Sequence, residues 1–238
     1  MKLLISDYDG TLDRNDGVTA EDKEAIGKWR KAGNIFAIAT GRFLGDIQDI
    51  AKDLGADYLI CCGGGDIFGK TFYPIRRFSA SRQSLEDLFE YLNNNHFPFA
   101  AVRSQSKEFC IGLSDDGKLH LPSDIPGFEG FTFDSLGLPS VSLANEMNEI
   151  FKGRVSVTSN GGGVDLTAYG VGKASAIDYL IKRIPLAPEN VITVGDSNND
   201  AEMILKFNGV TVSTGNDYIK SIARAVYNDF TELCEDNM

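Results

Sequence analysis

Leu3-Leu4-Ile5-Ser6-Asp7-Tyr8-Asp9-Gly10-Thr11 begins apolar and turns polar within four residues. A run this short, without alternation, is the pattern of a strand buried on both faces, as in a parallel sheet. Its carboxyl end carries Asp7, and Asp9 follows two residues on. Thr19 with Asp22 makes a helix start like a capping box, Ala25, Ile26 and Trp29 give that helix an apolar stripe, and Gly33 suits its end. Ile35 to Ala39 is the next strand and stops at Thr40-Gly41-Arg42. A helix over about Phe43 to Leu54 and a strand from Tyr58 to Cys62 complete β-α-β-α-β. That order predicts an α/β fold, a doubly wound, Rossmann-like parallel sheet.

The alternation then lapses. Ser84 to Asn95 reads as a helix, Phe99 to Val102 and Glu108 to Leu113 as strands, Ser114 to Pro139 as a loop rich in Gly, Pro and Asp, and Val141 to Phe151 as a second helix. Arg154 to Thr158 and Val164 to Ala168 are two further strands, so the stretch resembles α-β-β repeated. After Gly170 the parallel pattern resumes with a helix from Ala174 to Ile184, a strand at Val191 to Val194, a helix from about Asn199 to Lys206, a strand at Val210 to Ser213 and a helix near Tyr218 to Ala225. Residues 1–78 and 170–238 are therefore expected to form one catalytic domain, with 79–169 inserted as an α+β cap beside its catalytic edge. Tyr169-Gly170-Val171-Gly172 supplies two glycines where the cap rejoins the core, suited to a hinge for a mobile lid.

The 238 residues are 42% hydrophobic, enough for a sizeable core, and carry 23 Lys and Arg against 34 Asp and Glu, a formal charge of −11. A field of that sign makes nucleic acid and anionic membrane poor partners. The sequence has no apolar run of membrane-spanning length, and Met1 to Ile5 reaches Asp7 too soon for a signal peptide, so a cytoplasmic protein is expected. Cys61, Cys62, Cys110 and Cys234 lack metal or disulfide spacing and read as buried reduced thiols.

In an open parallel sheet, ligands bind beyond the carboxyl ends of the strands. Asp7, Asp9, Thr40 and Asp196 fall there, with Lys173 at a helix start. Asp7-Tyr8-Asp9-Gly10-Thr11, Thr40-Gly41-Arg42, Lys173 and Gly195-Asp196-Ser197-Asn198-Asn199-Asp200 together resemble, in order, the four motifs of the haloacid dehalogenase superfamily. The insertion point resembles its class II caps. The form of the last motif, with Gly215-Asn216, resembles its Cof-type, sugar-phosphatase-like branch.

The resemblance implies a phosphatase acting on a small phosphorylated metabolite, as a monomer or homodimer. Asp7 would attack phosphorus to give an aspartyl-phosphate, while Asp9 protonates the leaving oxygen and later activates water. Crowded carboxylates facing a dianionic substrate need a cation, and Mg2+ fits an all-oxygen site. The implied ligands are Asp7, the main-chain carbonyl of Asp9, and Asp196, with Asp200 in direct or supporting contact. Lys173 opposes the dipole of its own helix, so its charge has a better use with Thr40 and Gly41 around the phosphoryl oxygens. Thr11, Gly41, Arg42, Asn199 and Asn216 are the expected phosphate- or substrate-binding residues.

Gly64 to Thr71 matches the phosphate-loop pattern of nucleotide hydrolases, but Phe72-Tyr73-Pro74-Ile75 follows where a helix is required and reads as a hairpin. His96 and His120 show no carboxylate or cysteine at ligand spacing, and Phe97, Phe99, Phe128, Phe131 and Phe133 read as cap core. Gly63-Gly64 stands where Cof-like chains carry Asn-Gly, and Asp165-Leu166-Thr167-Ala168 where they carry Glu-Ile-x-Pro; both departures bear on substrate recognition. Two alternatives remain: a phosphomutase of the phosphomannomutase type, for which Arg103, Lys107 and Lys118 are thin cap support, and a non-catalytic sugar-phosphate sensor.

Overall fold

The computed structural model describes residues 1–14 and 17–238. Strand and helix alternate through β1 (Leu3–Ser6), α1 (Ala20–Lys31), β2 (Ile35–Ala39), α2 (Leu44–Asp53) and β3 (Tyr58–Cys61), followed by a hairpin of β4 (Asp66–Gly69) and β5 (Pro74–Arg77). The inserted stretch holds β6 (Ala80–Ser81), α3 (Arg82–Asn94), β7 (Phe99–Ser104), β8 (Lys107–Gly112), β9 (Gly127–Phe128), β10 (Gly130–Asp134), α4 (Ser140–Ile150), β11 (Val155–Asn160) and β12 (Gly163–Ala168). The chain ends with α5 (Lys173–Arg183), β13 (Val191–Val194), α6 (Ala201–Lys206), β14 (Thr211–Val212), α7 (Asp217–Ile222), β15 (Val226–Tyr227) and α8 (Phe230–Asn237).

The larger sheet runs β13-β1-β2-β3-β4-β5, parallel as far as β3 and antiparallel through the hairpin. A bridge from Val194 to Val210 continues it toward the parallel pair β14 and β15. Every residue of β1 is buried: Leu3 and Ile5 pack with Ile177 and Leu180 on one face, and Leu4 with Trp29, Phe36 and Phe230 on the other. Strand order reverses between β1 and β13, so Asp7 and Asp196 flank the crevice that such a sheet offers to a ligand.

The smaller sheet, β11-β12-β10-β7-β8, is antiparallel throughout. Its strands alternate with period two. Val102, Phe131, Val164, Leu166, Val155 and Val157 join a cluster with Leu85, Leu88 and Met147 of α3 and α4, all within residues 80–168. The intervening Arg103, Thr132, Asp165, Thr167, Ser156 and Thr158 fall on the opposite face.

Several expectations need correction. Ser114 to Pro139 is not a plain loop: it contains β9 and β10, and β10 is the middle strand of the smaller sheet. Phe128, Phe131 and Phe133 are buried there, and the surrounding Gly, Pro and Asp obscured their alternation. The extra strand also breaks the simple α-β-β repeat. Cys110 is exposed, unlike the other three thiols, and Phe99 is 42% exposed on the rim of the smaller sheet. His120 does have a carboxylate partner, Asp116 four residues earlier at 2.9 Å, on the surface. Thr19 caps α1, but Asp22 does not complete a box; it accepts from Arg14 and from the Phe230 N–H. Gly64 to Thr71 opens no helix, and the hairpin stands in its place.

The two layers join through a polar knot around the buried Asp66 and Glu129. Arg77 Nε lies 3.2 Å from Asp66 Oδ1 without a well-formed hydrogen bond, and its Nη2 donates to Ser106 Oγ at 2.5 Å. Glu129 accepts from Ser79 Oγ and the Gln105 N–H, each at 2.6 Å. Burial pushes the Asp66 carboxyl up to about 7, with Glu129 adding and Arg77 opposing. Between pH 4 and 7 the folded chain thus holds a proton that the unfolded chain has lost. This contribution to stability is complete below the unfolded value near 4 and is lost as pH rises through 7. Urea unfolding at pH 5 and pH 8 should show Asp66→Asn removing a pH-dependent loss on the order of 2 kcal/mol seen in the parent; an unchanged pH dependence would contradict this.

Candidate active site

The Asp7 N–H donates to the Val194 carbonyl at 2.8 Å, extending the parallel ladder one residue past β1 and fixing Asp7 at the crevice. Gly10 then turns the chain with φ +83°; a Cβ there would sit 2.4 Å from Asp196 Oδ2. Only glycine allows both that turn and that approach. Thr11 Oγ1 donates to Asp196 Oδ1 at 2.8 Å and is wholly buried, so it orients the carboxylate of Asp196.

Lys173 begins α5 and is 3% exposed. Its Nζ donates to Asp7 Oδ1 and Asp200 Oδ1, both at 2.6 Å. Burial works against its charge, but Asp200 and Asp7 more than offset this and raise its pKa. Burial raises Asp7 well above the carboxylate range, against the pull of Lys173. Burial likewise raises Asp196, with the Thr11 hydrogen bond opposing. Asp200 Oδ2 also accepts from the N–H groups of Asp196 and Ser197, and a Cβ on Gly195 would meet the Asp200 Cγ at 2.3 Å. With both oxygens engaged, Asp200 is placed to brace Asp196 and Lys173 from behind.

Carboxylate oxygens of Asp7, Asp196 and Asp200 lie within 4.8 Å of one another. One ammonium cannot balance three carboxylates, and the donors are all oxygen, so this cradle fits a hard divalent cation. The Asp9 side chain stands apart, 55% exposed, gripped by Arg42 through Nε at 3.0 Å and Nη2 at 2.6 Å. The Arg42 guanidinium also lies over the Tyr8 ring at 4.7 Å.

Thr40 follows β2 directly and is fully buried, and its Oγ1 accepts from the Arg42 N–H at 3.1 Å. A cavity of about 150 Å³ is lined on the core side by Asp7, Asp9, Gly41, Arg42, Ser197 and Asn199, and on the other by Arg103, Thr132, Asn160 and Asp165. An adjoining cavity of about 220 Å³ shares Asp165 and Asn199 and reaches Lys173, Ser156 and Thr158. Asn216 lines neither: its Oδ1 caps α7 at Ile219 N, its Nδ2 donates to Asn198, and its N–H donates to the Asp196 carbonyl. Thr11 reaches Asp196, not the cavity wall. Gly63 and Gly64 lie against the smaller sheet and the chain leaving it: a Cβ at Gly64 would be 2.4 Å from the Gly172 carbonyl, and one at Gly63 would be 3.6 Å from Thr167 Cγ2.

Sequence reading gave Asp165 only as a departure from pattern and gave Arg103 only as a sparse basic residue. Thr132, Asn160 and Ser197 were missed. The usable signal was the alternation Val155-Ser156-Val157-Thr158 and Val164-Asp165-Leu166-Thr167, which puts a polar side chain at every second position.

The model of the haloacid dehalogenase-like hydrolases matches residues 4–115 and 139–232. The chain belongs to that family. It is 27% identical over 233 residues to a 5-amino-6-(5-phospho-D-ribitylamino)uracil phosphatase of Bacillus subtilis, covering 94% of this chain and 88% of the relative. A phosphoglycolate phosphatase of Methanoculleus marisnigri is 23% identical over 229 residues, with the same coverage of each. The structure of a haloacid dehalogenase-like hydrolase from B. subtilis superposes with a TM-score of 0.85 at 20% identity, covering 100% of this chain and 98% of that one. The fold assignment thus stands, and the chain is a hydrolase of this family.

Replacing Lys173 by Met would leave Asp7 and Asp200 facing each other unneutralised in a buried site. A loss of about 3–5 kcal/mol is expected from urea unfolding in the presence of a chelator; a loss below about 1 kcal/mol would show that the ammonium is not what holds the cluster.

Proposed function

We propose that the protein is a magnesium-dependent phosphatase that hydrolyses a small phosphomonoester through phosphoryl transfer to Asp7. The observation carrying this reading is the buried Asp7 carboxylate, pinned through Oδ1 by Lys173 and opening onto the cavity shared with Asp9. Two similar chains of near full length are named as phosphatases.

Oδ2 of Asp7 attacks phosphorus as the ester P–O bond breaks, and Asp9 gives its proton to the departing oxygen. Water then attacks the phosphorus of the aspartyl-phosphate and passes a proton to Asp9, releasing phosphate and restoring Asp7. For this the Asp9 side chain leaves Arg42 and turns inward, which its exposure permits. Lys173, Thr40 and the main chain at Gly41 hold the phosphoryl oxygens. Asp7, the Asp9 carbonyl and Asp196 would hold Mg2+, with Asp200 behind them; the bound ion supplies positive charge against the phosphoryl oxygens.

Among the described residues, the cavity lining facing the core offers the Thr132 hydroxyl, the Asn160 amide and the Asp165 carboxylate and no aromatic ring, the Arg103 guanidinium there being taken up by Gly41 and Glu108. That favours a hydroxylated leaving group, such as a sugar or polyol, over an aromatic one. We place the enzyme in the cytoplasm, as a monomer or homodimer, without nucleic-acid or membrane partners.

Purified protein with Mg2+ should release phosphate from members of a panel of phosphorylated sugars, nucleotides and cofactors. Asp7→Asn or excess chelator should abolish release, and Asp9→Asn should cost on the order of 10²–10⁴ in rate. Substantial turnover by Asp7→Asn, or in chelator, would rule the mechanism out.

A further inference from the structure

Among the described hydrogen bonds, one joins the smaller sheet directly to the loop that faces the phosphoryl site. Arg103 of β7 sends Nη1–H to the Gly41 carbonyl at 2.7 Å, across 62 residues of chain. Its Nε donates to Glu108 Oε2 at 2.8 Å, and Glu108 is the residue paired with Arg103 across β7 and β8. The guanidinium is thus aimed from two sides, with a side-chain exposure of 15%.

The neighbouring strand is shaped for it. Gly130 sits opposite Arg103 in the β10–β7 register, and a Cβ there would come 2.9 Å from Cys62 Cβ and 3.4 Å from Arg103 Cδ. The missing side chain lets the aliphatic stem of Arg103 lie flat while the core strand end at Cys62 approaches. Cys62 in turn donates its N–H to the Arg42 carbonyl at 2.9 Å, and the Gly63 N–H donates to the Thr40 carbonyl at 3.0 Å, so Thr40 to Arg42 is tied on both sides.

The Gly41 carbonyl and the Arg42 N–H belong to one planar peptide and point in opposite directions. Holding the carbonyl fixes the N–H, which Thr40 Oγ1 accepts. The Thr40 hydroxyl is then oriented, with its own proton left for another acceptor. A guanidinium on the cap therefore sets the geometry of a core hydroxyl just past β2, the strand paired with β1 that carries Asp7 at its end.

We propose that Arg103 is a positioning residue: by clamping the Gly41–Arg42 peptide when the smaller sheet lies against the core, it orders the Thr40 loop for phosphoryl transfer. This rests on the phosphatase reading. Because it acts on the half of the site common to every phosphomonoester, its loss lowers kcat alike for all leaving groups and leaves their ranking unchanged.

The test compares the parent with Arg103→Met, which keeps the apolar stem, Arg103→Lys, and Glu108→Gln, which loosens the guanidinium from the far side. Arg103→Met should lower kcat roughly 10–100-fold on para-nitrophenyl phosphate and sugar phosphates alike, with far smaller changes in KM. Arg103→Lys should recover part of the rate, and Glu108→Gln should lose less. Hydrogen exchange read on a peptide over residues 38–44 should be roughly tenfold faster in Arg103→Met, while β7 and β8 stay protected. Unchanged exchange there would overturn the proposal whatever the rates do. A reordered substrate ranking would overturn it too, since Arg103 would then be touching the leaving group. Should the parent turn over no phosphomonoester, the phosphatase reading fails, and the exchange measurement still decides whether Arg103 orders the loop.

Discussion

One buried ammonium among three carboxylates is the constraint on which the site depends. Lys173 bonds Asp7 and Asp200 at the same 2.6 Å distance, and Asp196 completes the cluster. Such a group costs desolvation energy on every member and repays it only through close pairing and full hydrogen bonding. The surrounding chain supplies both. Thr11 holds Asp196, two N–H groups hold Asp200, and the β1–β13 ladder holds the Asp7 backbone. The charge still uncompensated is what suits the cradle to a cation.

That crowding explains the glycines around it. Side chains at Gly10 and Gly195 would collide with Asp196 and Asp200, so these positions are set by the carboxylates they face. Gly64, Gly65 and Gly130 serve the other boundary. A Cβ on Gly65 would come 2.0 Å from the Glu129 carbonyl, so the smaller sheet approaches the core at backbone distance. Where Cof-like chains place Asn-Gly, this chain has Gly63-Gly64: the Gly172 carbonyl leaves no room for a Cβ at Gly64, whereas at Gly63 it is the left-handed φ of +63°, not packing, that favours glycine.

Much of the core was legible because its signals are local. Strands buried on both faces are short apolar runs, and each ends where a polar motif begins, so Asp7, Thr40 and Asp196 could be placed at one sheet edge without coordinates. The interior of the smaller sheet was less legible. Phe128, Phe131 and Phe133 alternate as a strand should, yet the turn-forming residues flanking them carried the stronger signal and β10 read as loop. The C-terminal β15 and α8 were also missed, although Phe230, Leu233 and Cys234 have helical spacing and pack toward α1. Partner choice was the least legible feature. Arg42 holds Asp9, Asn216 caps a helix, and Arg103 reaches Gly41, and each pairing depends on which elements the fold brings together rather than on neighbouring sequence.

The proposed catalysis turns on Asp7 bonding to phosphorus. Asp9→Asn should slow hydrolysis of the intermediate while a good leaving group still departs, so phosphorylated enzyme should accumulate on mixing that variant with Mg2+ and para-nitrophenyl phosphate. Acid quenching followed by peptide mass spectrometry would locate the phosphoryl group. A phosphoryl group on Asp7, lost in the Asp7→Asn control, is the expected result; turnover without phosphorylation of Asp7, or with phosphate on another residue, would contradict the account.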